Sequence, residues 1–171
     1  MIAARPRLLA LSLALAISHA GGRGAPAKRS CAGRGGAGIV SIVYFDHGKA
    51  SAMRPDALRC RRARALLDSL FQGATDELKL RVDEERIRGL KDGEAGVEIR
   101  FGKETSLESK ELGIFRVTRV FLPFTGDFVG ADDSSTTLFP GDQRGYFSGP
   151  LRNPKGYPPL LALRDLVKPA L

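Results

Sequence analysis

The stretch IVSIVYFDHG, residues 39–48, decides how we read the rest of this chain. Residues 39–45 are almost all β-branched or aromatic, a composition typical of a strand that is buried on both faces. The run then ends in Asp46, His47 and Gly48, residue types that favour a turn. We therefore expect strand 39–45 to form the centre of a β-sheet, with an acid and an imidazole at its end.

The beginning of the chain predicts export to the periplasm or the extracellular space. Residues 1–20 combine two arginines, an apolar run over 8–17 and small residues at Ser18 and Ala20, the three parts of a secretory signal peptide. The apolar run is short for a membrane span, and the chain expected after cleavage contains no apolar run that is longer. An uncleaved anchor or a buried N-terminal helix is the alternative interpretation.

Residues 21–37 are rich in Gly, Ala and Arg and have no apolar periodicity, which predicts a flexible leader before a single domain at 38–171. The two cysteines of the chain are Cys31 in this leader and Cys60. In an exported protein two cysteines more often pair than stay free, so we expect a disulfide bond between them.

The chain is a basic protein with a formal net charge of +8. Residues 21–91 contain 15 Lys and Arg against 8 Asp and Glu, and Arg59, Arg61, Arg62 and Arg64 lie close together. This basic half of the chain favours an anionic partner. The four arginines splay around a helix, however, and a need for solubility explains the positive charge equally well. The chain has no Trp and no aromatic residues between the arginines, so nucleic acid is not the expected partner.

Periodicity predicts an α+β fold. Helical spacing covers 55–71, with Cys60, Ala63 and Leu67 on one face, and a shorter helix at 83–92 is expected to be capped by Asp83. Alternation over 77–82 and 97–101 predicts half-exposed strands, which would direct Glu98 to solvent. Further strands are expected at 114–124, 136–139 and 146–148, charged loop residues at 102–112, and a closing helix at 160–167.

The resulting order is β-α-β-(α)-β-β-β-β-α. Because consecutive strands dominate the later part of the chain, we expect a single α+β domain with a mainly antiparallel sheet of about five to six strands. Two to three helices would pack on one face of that sheet.

His47 is the one histidine expected in the mature chain, since His19 lies in the signal peptide. A zinc site made of several histidines is thereby excluded. Histidine catalysis would use His47 with an acid from elsewhere, such as Asp127, because Asp46 as the next residue along a strand should point to the opposite side. A polar turn is the alternative role for this segment.

Two loop regions supply the remaining candidates. Asp132 and Asp133 offer carboxylates for Ca²⁺ or Mg²⁺, although the spacing matches no EF-hand and no cofactor is otherwise expected. The Gly- and Pro-rich segment after residue 140 offers guanidinium, aromatic and amide groups for recognition of a partner. These candidate binding residues are Arg144, Tyr146, Arg152, Asn153 and Tyr157.

The chain has no Gly-x-Ser-x-Gly and no P-loop, which favours a function without catalysis. The sequence therefore predicts a small exported binding module whose partner is an extracytoplasmic protein or an anionic polymer. One alternative is an extracytoplasmic hydrolase or metal-assisted enzyme built on His47 with Asp127, Asp132 or Asp133. A second is a module that binds anionic surfaces through its basic half.

Overall fold

The computed structural model describes residues 38–130 and 134–169, which form seven strands and three helices. The strands are β1 (Ile39–Asp46), β2 (Lys49–Met53), β3 (Asp76–Glu77), β4 (Ala95–Ser109), β5 (Gly113–Pro123), β6 (Thr136–Gly141) and β7 (Leu151–Asn153). The helices are α1 (Ala57–Gln72), α2 (Glu84–Gly93) and α3 (Tyr157–Val167). None of these helices is long and apolar enough to cross a membrane.

All the strand pairs are antiparallel, and they join in the order β2-β1-β4-β5-β6-β7-β3. The expected α+β class with a mainly antiparallel sheet is confirmed, with one strand more than the upper expectation. The central strand is β5, so the expectation that 39–45 forms the centre was wrong. β1 lies second from one edge, and its burial is uneven, because Ile42 and Tyr44 lie in the main core whereas Phe45 only packs against the smaller core on the other face.

Four local assignments from the sequence were also wrong. The stretch expected to join strand 39–45 to the helix at 55–71 contains β2, and β4 continues to Ser109 through a segment expected to be a charged loop. The strand expected at 77–82 is reduced to Asp76–Glu77, while the last strand is β7 rather than 146–148. In each case the partner strand decided the outcome, since an alternating sequence becomes a strand only where a neighbour accepts its backbone hydrogen bonds.

The helices cover both faces of the sheet rather than one. α1 and α3 pack on the face that presents Ile42, Tyr44 and Leu122. The opposite face presents Phe121 and Phe139, and α2 covers it through Ile87 in a second, smaller core. The expectation of a single covered face failed because the short amphipathic segment before β4 is long enough to shield these aromatic side chains.

The predicted Asp83 cap of α2 is confirmed, whereas α1 begins at Ala57, two residues after the predicted start, because Asp56 caps it. The Asp56 carboxylate accepts a hydrogen bond from the backbone N–H of Arg59 at 2.8 Å, and Asp83 accepts one from Arg86 at the same distance. These caps satisfy amide groups that have no partner inside the helix. The inward face of α1 is the predicted one, with Cys60, Ala63, Leu67, Leu70 and Phe71 buried.

Cys60 is buried near the start of α1, and its Sγ lies 3.9 Å from the carbonyl oxygens of Ile39 and Pro55. Cys31 and the whole 1–37 segment, including the expected signal peptide and leader, lie outside the described residues. The chain thus enters the described domain beside Cys60, a position compatible with a bridge back to residue 31. The disulfide bond itself stays a prediction.

A buried ion pair fastens α2 to the sheet. Glu98 of β4 is completely buried, against the expectation from strand alternation, and its carboxylate pairs with Lys91 of α2 and with Arg100. The Tyr146 hydroxyl donates a further hydrogen bond to this carboxylate at 2.6 Å. The Lys91 ammonium lies 5.0–5.5 Å from the ring centroids of Phe45, Phe121 and Tyr146, within the range of cation–π attraction.

The charge of Glu98 depends on these contacts. Burial alone would raise the pKa of this carboxyl, but the hydrogen bonds from Lys91 and Tyr146 and the charge of Lys91 outweigh burial and hold the pKa at about 2. Burial and the neighbouring Glu98 carboxylate together raise the pKa of the Tyr146 hydroxyl. At neutral pH Glu98 is therefore an ionised carboxylate and Tyr146 a neutral phenol.

We expect Glu98→Gln to lower the free energy of unfolding at pH 7 by on the order of 3 kcal/mol, because it leaves the partly buried Lys91 without a counter-ion. Since the folded pKa of Glu98 lies below its ordinary value, the wild-type contribution is complete above about pH 4.5 and is lost as the pH falls towards 2. Urea unfolding between pH 7 and pH 3 measures both effects.

The matched control is Glu104→Gln, because Glu104 lies on the same strand but is exposed and 3.8 Å from its partner Arg116. This substitution should change stability by less than about 1 kcal/mol. Equal losses for the two variants would contradict the structural role of the buried pair.

Candidate interaction surface

The turn that joins β1 to β2 places His47 at one end of the sheet. His47 and Gly48 have φ values of 48° and 81°, and positive values at both central residues define the tight type I′ turn of a two-residue hairpin. The backbone N–H of His47 donates to the Glu94 carbonyl at 3.3 Å, and that of Gly48 donates to the Lys91 carbonyl at 3.0 Å. The turn is therefore docked against the end of α2.

The imidazole Nδ1 of His47 lies 2.9 Å from the Asp46 carboxylate, although we expected the two side chains to point apart. That expectation assumed an extended backbone, whereas the positive φ of His47 rotates its side chain back towards Asp46. Both side chains are more than half exposed, at 66% and 60%, so water surrounds the pair. The structure thus supports the turn role, and a catalytic role for His47 stays a prediction.

Asp127 lies in an exposed turn of the loop that follows β5, near the same end of the sheet. This loop is tied to the start of β4 because the Thr125 hydroxyl donates to Glu94 at 2.6 Å and accepts from the backbone N–H of Ala95. Asp132 and Asp133 lie outside the described residues. Within 38–130 and 134–169, no three acidic, histidine or cysteine side chains form a group that could hold a metal ion.

Two of the five predicted binding residues are buried and stabilise the fold. The Tyr146 hydroxyl donates to the buried Glu98 carboxylate, and Asn153 is 2% exposed. The Asn153 side chain donates to the Leu70 carbonyl at 2.8 Å and accepts from the backbone N–H of Lys155 at 2.9 Å. It therefore joins the end of α1 to the turn before α3. Because this side chain is buried, it does not face a partner.

The other three predicted binding residues lie on different elements of the fold. Arg144 is exposed in a turn where its backbone N–H donates to Asp142, while Arg152 is exposed on β7. Tyr157 begins α3 and packs partly against the main core. A role of these three residues in binding a partner stays a prediction.

The arginines of α1 splay as predicted. Arg64 forms an ion pair with Asp68 at 2.9 Å and contacts β4, whereas Arg59, Arg61 and Arg62 are exposed. Between α1 and α3 runs an open groove of about 560 Å³, which is lined by Arg62, Ala65, Leu66, Ala162, Asp165 and Leu166. Because Arg62 and Asp165 carry opposite charges, the groove presents no uniform electrostatic field to an anion.

A feature that the sequence did not reveal is the open edge formed by β2. In the described part of the chain β2 pairs only with β1, and four of its five residues are exposed. Its sequence, KASAM, has one charged residue, no proline and small central side chains. Natural edge strands usually avoid such an arrangement because unpaired N–H and C=O groups attract further strands.

The hairpin register identifies the backbone groups that face outward. Asp46 and Lys49 close the two-residue turn as a hydrogen-bonded pair, and such pairs alternate along an antiparallel ladder. Ser51 and Met53 therefore bond towards β1, while Ala50 and Ala52 direct their N–H and C=O groups away from the sheet. By contrast, the opposite edge strand β3 has only two residues, Asp76 and Glu77, and both are acidic.

We expect His47→Asn to preserve the free energy of unfolding to within about 0.5 kcal/mol, because Asn tolerates the left-handed backbone of this turn. His47→Val should cost about 1–2 kcal/mol, since a β-branched residue is disfavoured at positive φ. Denaturant unfolding measures both variants. A large loss for Asn together with none for Val would contradict the turn role.

No protein-family model, curated protein or solved structure shows significant similarity to the chain.

Proposed function

We propose that this chain is an exported binding module without catalytic activity, and that it binds an extended segment of a partner protein along the edge of β2. One observation supports this function above the others: β2, an exposed five-residue strand with one charged residue, forms an edge of the sheet. Strand addition at a free edge is a recurrent mode of peptide recognition. The export part of the proposal rests on the pattern of residues 1–20.

The edge can supply both affinity and selectivity. Ala50 and Ala52 each offer one N–H and one C=O, and a protein hydrogen bond contributes about 0.5–1.5 kcal/mol net. Their methyl side chains leave room beside Val43 and Phe45, the residues opposite them in β1, and both of these are only partly buried. An incoming strand would therefore gain backbone hydrogen bonds and apolar contact together.

The rest of the described domain is suited to hold this edge in place. The hairpin turn is docked on α2 through two backbone hydrogen bonds. Met53 at the other end of β2 packs against the main core. A strand fixed at both ends loses little conformational freedom when it binds, which favours recognition of an extended segment.

We expect peptides selected from a displayed library of extended decamers to slow hydrogen exchange at the amides of Ala50 and Ala52. Ala52→Pro should weaken their binding by at least about tenfold, because proline removes an outward N–H while remaining tolerated on an edge. Binding is measured by fluorescence anisotropy, and exchange by NMR.

The matched control is Ala52→Val, which keeps the N–H and favours a strand, so binding should persist. Thermal unfolding of both variants checks that the domain remains folded. Undiminished binding to the proline variant, or selected peptides that leave both amides unprotected, would refute the proposed function.

A further inference from the structure

We propose that the segment recognised at the β2 edge alternates acidic and apolar side chains. This inference rests on the proposed function, because it assumes that the partner lies along β2. It concerns what the two faces of the sheet present beside that edge. In a strand, successive side chains point to opposite faces, so each face of the sheet would contact every second side chain of the partner.

The register divides β2 between these faces. Ser51 and Met53 lie opposite Tyr44 and Ile42, which pack on the α1 and α3 side. Ala50 lies opposite Phe45, which belongs to the smaller core under α2. A strand added beside β2 would follow the same division, with one set of side chains towards α1 and α3 and the other set towards the α2 side.

The α1 and α3 side of the edge is rich in cations. Lys49 shares the face of Ser51 and Met53, and Arg54 directly follows β2. The guanidinium of Arg59 lies 3.8 Å from the Met53 sulfur, at the end of the strand. Within the described residues, none of these three cations has an ion-pair partner.

Arg164 of α3 adds a fourth cation to this side. The pKa of the Tyr44 hydroxyl is raised by burial and by Asp46, whereas the charge of Arg164 acts in the opposite direction. Arg164 is therefore within electrostatic reach of Tyr44, the residue paired with Ser51. Its own partner is the adjacent Asp165, at 3.3 Å.

The acids close to this edge offset part of this charge. Asp56 caps α1 and lies within electrostatic reach of Arg59, and Asp165 is paired with Arg164. Asp46 lies opposite Lys49 in the register, while Asp92 lies near Gly48 at the turn. Towards the Met53 end Arg54 and Arg59 outnumber Asp56, so the edge keeps a positive charge there, which favours carboxylates on a neighbouring strand.

The α2 side of the edge is apolar. Ala50 and Ala52 have only methyl side chains, and Val43 and Phe45 beside them remain partly exposed. The Phe45 ring already packs edge-on against Phe121, with centroids 6.2 Å apart. Branched or aromatic side chains of an added strand would extend this layer and remove its apolar surface from water.

The test compares two extended peptides of equal length in which valine alternates either with glutamate or with lysine. We expect the glutamate peptide to bind about five- to tenfold more tightly at low salt, as expected for two or three exposed ion pairs. Raising the salt to 0.5 M should remove most of this difference. Fluorescence anisotropy measures affinity, and NMR hydrogen exchange at Ala50 and Ala52 locates the bound peptide.

Charge reversal provides the decisive comparison. The double variant Lys49→Glu and Arg59→Glu should reverse the preference and favour the lysine peptide. The matched control, Lys110→Glu with Arg152→Glu, makes the same charge change away from this edge and should retain the preference for glutamate.

The outcomes separate this inference from the proposed function. Equal affinities of the two peptides, with protection of Ala50 and Ala52, would overturn the charge pattern and leave edge binding intact. Failure of both peptides to protect these amides would overturn edge binding and the inference together. A preference for glutamate that survives reversal of Lys49 and Arg59 would place its origin elsewhere and also refute the inference.

Discussion

The structure depends on one buried contact, the ion pair between Glu98 and Lys91. An ionised carboxylate in a protein interior is costly unless it is paired and hydrogen-bonded, and here Lys91, Arg100 and Tyr146 together satisfy it. This contact fixes α2 over a face of the sheet that would otherwise expose several aromatic rings. Since the end of α2 also accepts the backbone hydrogen bond of Gly48, the position of the β1–β2 turn follows from the same constraint.

This connection also holds the β2 edge in a fixed position. β2 is short and has mostly small side chains, and a two-stranded hairpin by itself would be marginally stable. Its turn is held by two backbone hydrogen bonds to the end of α2, while Met53 packs against the main core. The fold thus stabilises a strand whose outer backbone groups have no partner in the described chain. This combination of a rigid scaffold and an unpaired edge supports a binding role more directly than any cluster of polar side chains described above.

Much of the architecture was predictable from local patterns. Asp83 is predictable as a helix cap because capping requires only a short side chain and the amides of the next turn. The inward face of α1 followed from helical spacing. Glu98 was assigned to solvent because alternation in β4 does not reveal that α2 covers that face. The sequence predicts Tyr146 and Asn153 as recognition residues because it does not distinguish a polar group exposed for a partner from one buried with a partner of its own.

By itself the sequence determined the α+β class, the cap of α2, the buried face of α1 and the turn-forming character of 46–48, all of which depend on interactions between residues a few positions apart. Only the tertiary structure decided that β1 lies second from the edge, that β2 forms that edge, and that Asp46 contacts His47. Those features depend on which strands pair and on the backbone angles of one turn residue. Pairing between distant strands is set by competition for the whole core, so neither local spacing nor composition specifies it.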